Sequence, residues 1–166
     1  MPTITKVLTD GALLSVLLLL WLGVVFSLRV SPRVFLQDYP KDIQDKVALQ
    51  TAAEKRLSWL FKTPLLIFVI VVPLISSWSL KRNDPEHTTF IALFLNTFGV
   101  VFTFNVVDLL LDFVLVWVNP KFVVIPGTEG SAGYKDYFHH IRGFLVGIVG
   151  SVVGGLVIAA VVFLLG

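Results

Sequence analysis

Four long apolar runs, separated by shorter polar stretches, dominate the pattern of the chain. A membrane-spanning helix needs about 20 mostly apolar residues, and the runs predict spans over residues 9–29, 63–80, 86–118 and 137–165. The fold class that follows is an all-α membrane protein, in which residues 1–166 form a single membrane domain built as a four-helix bundle.

Local signals predict where the third span begins and ends. Asp84 is typical of an N-cap, and Pro85 of the first helical position, so the helix is expected to begin there. Asn119 and Pro120 are expected to end it, because asparagine favours the helix terminus and proline cannot continue a helix.

Lys and Arg fall mainly on one side of these spans. The positive-inside rule therefore places connections 30–62 and 119–136 in the cytoplasm and both termini outside. The ten on that side are Arg29, Arg33, Lys41, Lys46, Lys55, Arg56, Lys62, Lys121, Lys135 and Arg142, whereas the other side has Lys6, Lys81 and Arg82.

The first cytoplasmic connection is predicted to form an interfacial helical hairpin. Pro40 can open a short helix with Asp42 in its first turn. The T-A-A-E sequence at 51–54 has capping-box spacing for a second helix that reaches Phe61. Its Lys and Arg residues would lie at the lipid headgroups, and a binding surface for a soluble partner is the alternative.

The second connection contains a short segment, residues 122–125, between Pro120 and Pro126. Prolines on both sides predict an extended conformation, either a short strand or a stretch against the bilayer. The following G-T-E-G-S-A-G sequence could present amides to an anion. It lacks the Gly-Lys-Ser/Thr ending of a phosphate-binding loop, which favours a simple turn.

The amino-acid composition further limits the class of protein and the kinds of site that the chain can contain. The chain is 56% hydrophobic and 14% charged, against about 25% charged in an ordinary soluble domain. The absence of cysteine excludes disulfides, thiolate zinc sites and thiol catalysis. The net charge of +2 reflects Lys and Arg that flank the spans, so it gives no indication of nucleic-acid binding.

Asp108 and Asp112 are the two charged residues inside an apolar run, and they share a helix face. A carboxylate within the membrane is costly unless it is neutralised or paired, which makes it a candidate functional group. The start of span four is predicted to lie at the same depth. The candidate polar or ion site therefore comprises Asn105, Asp108, Asp112, Glu129, Asp136, His139 and His140.

Two interpretations of this site remain open. In one, it binds a divalent metal, with Asp108, Asp112 and His139 as candidate ligands, or it carries protons. In the other, Asp112 pairs with Arg142 or Lys135, and Asp108 is protonated or hydrogen-bonded, so that the cluster only joins two helices. No catalytic residue is assigned, and the sequence leaves open whether the protein is an enzyme.

Span four carries small residues at helical spacing that predict close helix packing. The partner is either span three of the same chain or a second copy. The residues concerned are Gly143, Gly147, Gly150 and Gly154.

The segment P-K-F-V-V-I-P-G-T-E-G-S-A-G-Y-K-D-Y-F-H-H-I-R-G-F at 120–144, with Y-P-K-D-I-Q at 39–44 and D-L-L-L-D in span three, resembles an uncharacterised family of small bacterial four-span integral membrane proteins. The resemblance implies a bacterial inner (plasma) membrane protein and brings no activity or cofactor with it.

Three functions are compatible with these patterns. The first is a cation- or proton-binding carboxylate/histidine site at the cytoplasmic end of spans three and four. The second is a structural or accessory subunit whose glycine-rich fourth helix docks a larger membrane complex or forms a homo-oligomer. The third is an enzyme that acts on a lipid or isoprenoid at the interface.

Overall fold

A computed structural model of the chain describes residues 2–165, and the regular secondary structure within that range consists of helices, with no strand. Four of its helices are long and apolar enough to cross a membrane, which confirms the predicted all-helical class with four candidate spans. The α-helices are α1 (Ile4–Ser27), α2 (Lys41–Gln44), α3 (Ala52–Asn83), α4 (Phe90–Val118) and α5 (Tyr137–Leu165), and 3₁₀ turns cover Pro32–Asp38, Lys121–Val123 and Ala132–Lys135.

The predicted start of the third span at Asp84 is wrong. Asp84 ends α3, and α4 begins at Phe90 after Thr89, whose side chain accepts a hydrogen bond from the Ala92 N–H. The Asp84 carboxylate is held by His87 instead, and the Thr88 N–H bonds to the Asp84 carbonyl. A local turn therefore competes successfully with the N-cap that Asp84 could have formed. The predicted end at Asn119 is confirmed, since this residue adopts a left-handed φ of 43°.

The predicted capping box at Thr51 and Glu54 is present, with both reciprocal hydrogen bonds formed. The helix that it opens does not end at Phe61, however, as the hairpin prediction requires. It continues through Pro64 and Pro73 to Asn83, because neighbouring helices in a bundle can compensate for the hydrogen bond that each proline removes. The second helix of the expected hairpin is thus the first part of α3.

The extended segment expected at 122–125 is wrong for its first two residues. Lys121–Val123 forms a 3₁₀ turn, and Val124 is the residue that adopts extended angles. The turn forms because the Val123 N–H bonds to the Pro120 carbonyl and the Val124 N–H to that of Lys121.

α4 contacts each of the other three long helices. It approaches α1 closely at two glycines: a Cβ on Gly11 would lie 2.5 Å from Thr103 Cβ, and one on Gly99 would lie 2.6 Å from Val7 Cγ1. Aliphatic side chains fill the region between α3, α4 and α5, where Leu93 packs with Ile158, Ala159 and Val162.

The connections that follow α1 and α4 pack together as a cap over one end of the helices. Their own small core consists of Leu36, Ile43, Ile125 and Tyr134. The Gly133 N–H donates to the Asp42 carboxylate across 2.8 Å, and a Cβ at Gly133 would collide with that carboxylate. We refer to residues 28–51 and 119–136 together as the cap.

Candidate functional site

A cavity of about 620 Å³ lies between the cap and the adjacent halves of α1, α3, α4 and α5. Aromatic side chains form much of its wall, and the cap contributes Asp38 and Tyr39 to it. The aromatic residues from the helices and cap are Trp21, Phe26, Phe35, Tyr39, Phe61, Tyr134 and Phe144. Five of the predicted site residues line the same cavity, namely Asn105, Asp108, Asp112, His139 and His140.

Asp112 and His140 form a direct pair across α4 and α5. Their Oδ2 and Nδ1 atoms are 2.8 Å apart, and both side chains are partly exposed to the cavity. Asp108 lies one turn before Asp112 on α4 and lines the same cavity. Among residues 2–165 its carboxyl makes no side-chain hydrogen bond. The pair and the second carboxylate therefore form one acidic patch.

His139 is held by the cap rather than by the aspartates. Its Nε2 lies 2.9 Å from the Asp38 carbonyl oxygen, and its backbone N–H donates to Asp136 Oδ1 at 3.1 Å. The Asp38 carboxylate in turn accepts from Lys62 on α3 at 2.7 Å. Asp136 thus accepts a hydrogen bond from the first turn of α5. His139 links α5 to Asp38 of the cap, which lines the cavity.

Asn105 connects α4 to α5 at the inner end of the cavity. Its amide nitrogen donates to Ser151 Oγ across 2.8 Å. A Cβ on Gly147 would lie 3.0 Å from Asn105 Oδ1, so a small residue at Gly147 allows this contact.

Glu129 lies outside the cavity lining. Its carboxylate accepts a hydrogen bond from the Gly127 N–H at 2.9 Å, within the same loop. Backbone N–H groups of Glu129 and Gly127 lower the pKa of this carboxyl below its usual range. Gly127 and Gly130 have φ of 87° and 76°, as a tight turn requires.

The four glycines singled out on α5 have different surroundings. Gly147 contacts Asn105, whereas a Cβ on Gly143, Gly150 or Gly154 would meet no atom of another element within 4 Å in the described part of the chain. The residues of α5 buried against the other helices include Ser151, Gly155 and Ala159. The small residues of α5 that pack against its neighbours therefore recur every four positions from Gly147. The sequence contains this spacing, but a search for glycines alone does not find it.

The ion pairing proposed for the purely structural interpretation is not the one observed. Asp112 pairs with His140, and the Arg142 guanidinium lies 4.6 Å from the centre of the Phe138 ring. Among residues 2–165, no group of three His, Asp or Glu side chains is arranged to hold a metal ion.

Sequence reasoning missed Asp38 and Tyr39 of the cap and Lys62 of α3, because no spacing rule relates these residues to α4. It also missed a cluster around Asp10 and Asn96, for which polar residues within or beside apolar runs were an available signal.

No protein-family model matches the chain, and neither a curated protein nor a solved structure matches it. The resemblance to four-span bacterial proteins therefore stays a prediction. A function can be inferred only from the geometry of the cavity.

Proposed function

We propose that the cap-side cavity of this multi-pass membrane protein binds a lipophilic organic cation, with Asp108 as the main counter-charge. The observation that carries the proposal is the acidic patch of Asp108, Asp112 and His140 inside an aromatic-walled cavity.

The size and walls of the cavity favour an organic ligand over a bare ion. Its volume of about 620 Å³ falls within the roughly 300–1,000 Å³ of small-molecule sites, which are mostly apolar with few polar groups. Aromatic faces attract organic cations through their quadrupoles, so Trp21, Phe61 and Phe144 can contact both the charge and the apolar body.

The charges that line the cavity favour a cation over an anion. Lys62 is already paired with Asp38 at 2.7 Å. Asp108 and Asp112 remain with His140, which leaves the patch negative whenever the imidazole is neutral. Electrostatic complementarity then favours a ligand of opposite charge.

The Asp112–His140 pair gives the site a means of exchanging protons. A histidine changes charge near neutral pH more readily than other side chains. A proton on His140 would balance one carboxylate when the ligand is absent, and its loss would restore negative charge when the cation binds. Cation binding is therefore expected to release protons and to weaken in acid.

Binding of tetraphenylphosphonium to the purified full chain tests the proposal. Asp108→Asn removes the counter-charge while keeping the shape, and we expect at least about tenfold weaker binding, which corresponds to about 1.4 kcal/mol. The matched control is Asp45→Asn, which removes one acidic charge from an exposed cap residue outside the cavity. Equal binding by Asp108→Asn and the unchanged chain would contradict the proposal.

A second candidate function is that of an accessory subunit or homo-oligomer assembled through α5. It is supported by Gly150 and Gly154, because among residues 2–165 no other element lies within 4 Å of a Cβ at either position, and small residues let another helix approach closely. Gly150→Leu should then shift the particle mass in lipid nanodiscs to that of one chain, whereas Val153→Leu on a neighbouring exposed face should not. An unchanged mass for Gly150→Leu would count against assembly through this face.

A further inference from the structure

α3 and α5 lie side by side, and they pack together in the half of the molecule farther from the cap. There, Leu74 and Leu80 of α3 join the buried cluster that contains Ile158 of α5. Farther from the cap, Lys81 Nζ donates to the Phe163 carbonyl at 3.0 Å. These contacts identify the sides of the two helices that face each other.

The inward side of α3 loses its cover toward the cap. The residues that recur on this side at the spacing of one helix face are Leu66, Ile70, Pro73 and Ser77. Pro73 and Ser77 are fully buried, whereas Leu66 is 51% exposed and Ile70 is 56% exposed. The neighbour that covers this side of α3 at Ser77 therefore does not cover it at Leu66.

The side of α5 that faces α3 shows the same change. Ile158 is buried, whereas Gly143 and Gly150, which lie on the same side but nearer the cap, are exposed. In the described part of the chain, a Cβ on either glycine would meet no atom of another element within 4 Å. A gap therefore separates α3 from α5 in the half of the bundle nearer the cap.

This gap leads into the cap-side cavity. Leu65, which precedes Leu66 on α3, lines the cavity, and so does the exposed Gly143. The exposed side chains beside the gap are apolar, as Leu66, Ile70 and Val146 show. In helices long and apolar enough to cross a membrane, such side chains face lipid. The cavity is therefore open toward the bilayer through the gap.

The cap crosses the end of the gap at Asp38. The carboxylate of Asp38 accepts a hydrogen bond from Lys62 Nζ of α3 at 2.7 Å, and its carbonyl oxygen lies 2.9 Å from His139 Nε2 of α5. A single cap residue thus links the two helices where they stand apart. The Lys62–Asp38 ion pair has no net charge, so it does not repel a cation that passes beside it.

We propose that the ligand of the cavity is a single-chain cationic amphiphile, which enters from the bilayer between α3 and α5. Its amine head binds at Asp108, and its alkyl chain stays in the gap. This inference rests on the proposed function, because it uses the same acidic patch as the counter-charge. From Lys62 to Pro73 the gap extends about 16 Å at 1.5 Å per residue, which is long enough for an extended alkyl chain.

The distribution of polar groups in the site matches a head and a tail. Asp108, Asp112 and His140 line the cavity, whereas the gap adds apolar wall. Lipid chains are as apolar as such a wall, so covering it brings no hydrophobic gain by itself. The gap instead lets the chain remain in hydrocarbon while the head moves to Asp108. An amphiphile therefore gains the ion pair without the cost of removing its chain from the membrane.

Photolabelling of the full chain in lipid nanodiscs tests the inference. The probe is dodecyltrimethylammonium with a diazirine at the end of its chain, and mass spectrometry locates the labelled residues. We expect labels within residues 64–73 of α3 and 143–154 of α5, and their loss when excess tetraphenylphosphonium occupies the cavity. Asp108→Asn should reduce the labelling at least about tenfold, whereas Asp45→Asn should leave it unchanged.

A substitution that fills the gap separates the contribution of the chain from that of the head. Gly150→Phe places a ring in the gap and should weaken binding of the dodecyl probe at least about tenfold. Tetraphenylphosphonium binding at equilibrium should stay the same, because Gly150 does not line the cavity. Val149→Phe adds the same ring at an exposed residue about 100° away around α5 and should affect neither ligand.

Two results would overturn this inference while the proposed function stands. One is tetraphenylphosphonium binding without labels in the gap, which would assign the gap to a phospholipid chain or to a helix of a second copy. The other is labelling of the gap that Asp108→Asn leaves unchanged, since the head would then not bind at Asp108. Absence of binding by both cations would overturn the proposed function and this inference together.

Discussion

Tyr39 shows how a single cap residue is tied to both the cap core and the cavity. Its hydroxyl donates to the Val123 carbonyl at 2.8 Å, and its ring meets the edge of Tyr134 with centroids 6.1 Å apart. Burial raises the pKa of the Tyr39 hydroxyl above its ordinary 10.0, and the neighbouring Tyr134 and Asp38 add to the effect. The folded cap therefore favours the protonated hydroxyl.

The pH dependence that follows has a definite sign. Because the folded state holds this proton more tightly than the unfolded chain, the contribution of Tyr39 to stability is complete below about pH 10 and declines as the pH rises beyond it. Tyr39→Phe should flatten this alkaline decline of Tm. It should also lower Tm near neutrality, since a hydrogen bond worth about 1 kcal/mol is lost.

Unfolding midpoints measured from about pH 8 to pH 11 check both effects. An alkaline slope that is the same in Tyr39→Phe and in the unchanged chain would show that another group controls it.

The α4–α5 contact depends on which small residues of α5 face α4. Gly155 is buried, and a Cβ there would lie 3.3 Å from the Phe94 ring, whereas Gly154, the preceding residue, has open space at its Cβ. Of these two neighbouring glycines, Gly155 therefore packs against α4 and Gly154 does not.

This difference predicts opposite responses to the same substitution. Gly155→Leu should force α5 away from Phe94 and destabilise the fold by about 1–3 kcal/mol, as overpacking does elsewhere. Gly154→Leu adds the same side chain toward open space and should leave stability within about 0.5 kcal/mol. Denaturant titrations of both variants as monomers in detergent provide the comparison, and equal losses would contradict the packing described here.

The helical elements could be predicted from the sequence because membrane spans require long apolar runs. The errors lie where two local signals compete. The capping box at Thr51 and Glu54 predicted a separate helix that ends at Phe61, yet the helix is continuous from Ala52 to Asn83. Asp84 could have capped α4, yet it bonds to His87 instead.

The candidate site, too, could be predicted from the sequence only in part. The shared face of Asp108 and Asp112 follows from helical periodicity, and the match in depth brought His140 into consideration. The selection of His140 over His139 as the partner of Asp112 depends on the rotation of α5 against α4. That rotation is set by contacts such as Gly147 with Asn105, which no local pattern encodes.

At the scale of the whole molecule, the cap lies at one end and the α3–α4 turn at the other. Lys81 Nζ contacts the Phe163 carbonyl at 3.0 Å, which places the end of α5 beside that turn. The ten Lys and Arg residues counted for the predicted cytoplasmic side lie in the cap or in the neighbouring ends of α3 and α5. The positive-inside rule then predicts that the cap, and with it the cavity, faces the cytoplasm.

Single-cysteine labelling tests this orientation cleanly, since the chain contains no cysteine of its own. Glu86→Cys in the α3–α4 turn and Asp45→Cys in the cap both replace exposed residues. In intact cells, a membrane-impermeant maleimide should label Glu86→Cys alone, and Asp45→Cys should react only after permeabilisation. The reverse pattern would place the Asp108 cavity on the outer side, so that an organic cation would reach it from outside the cell instead of from the cytoplasm.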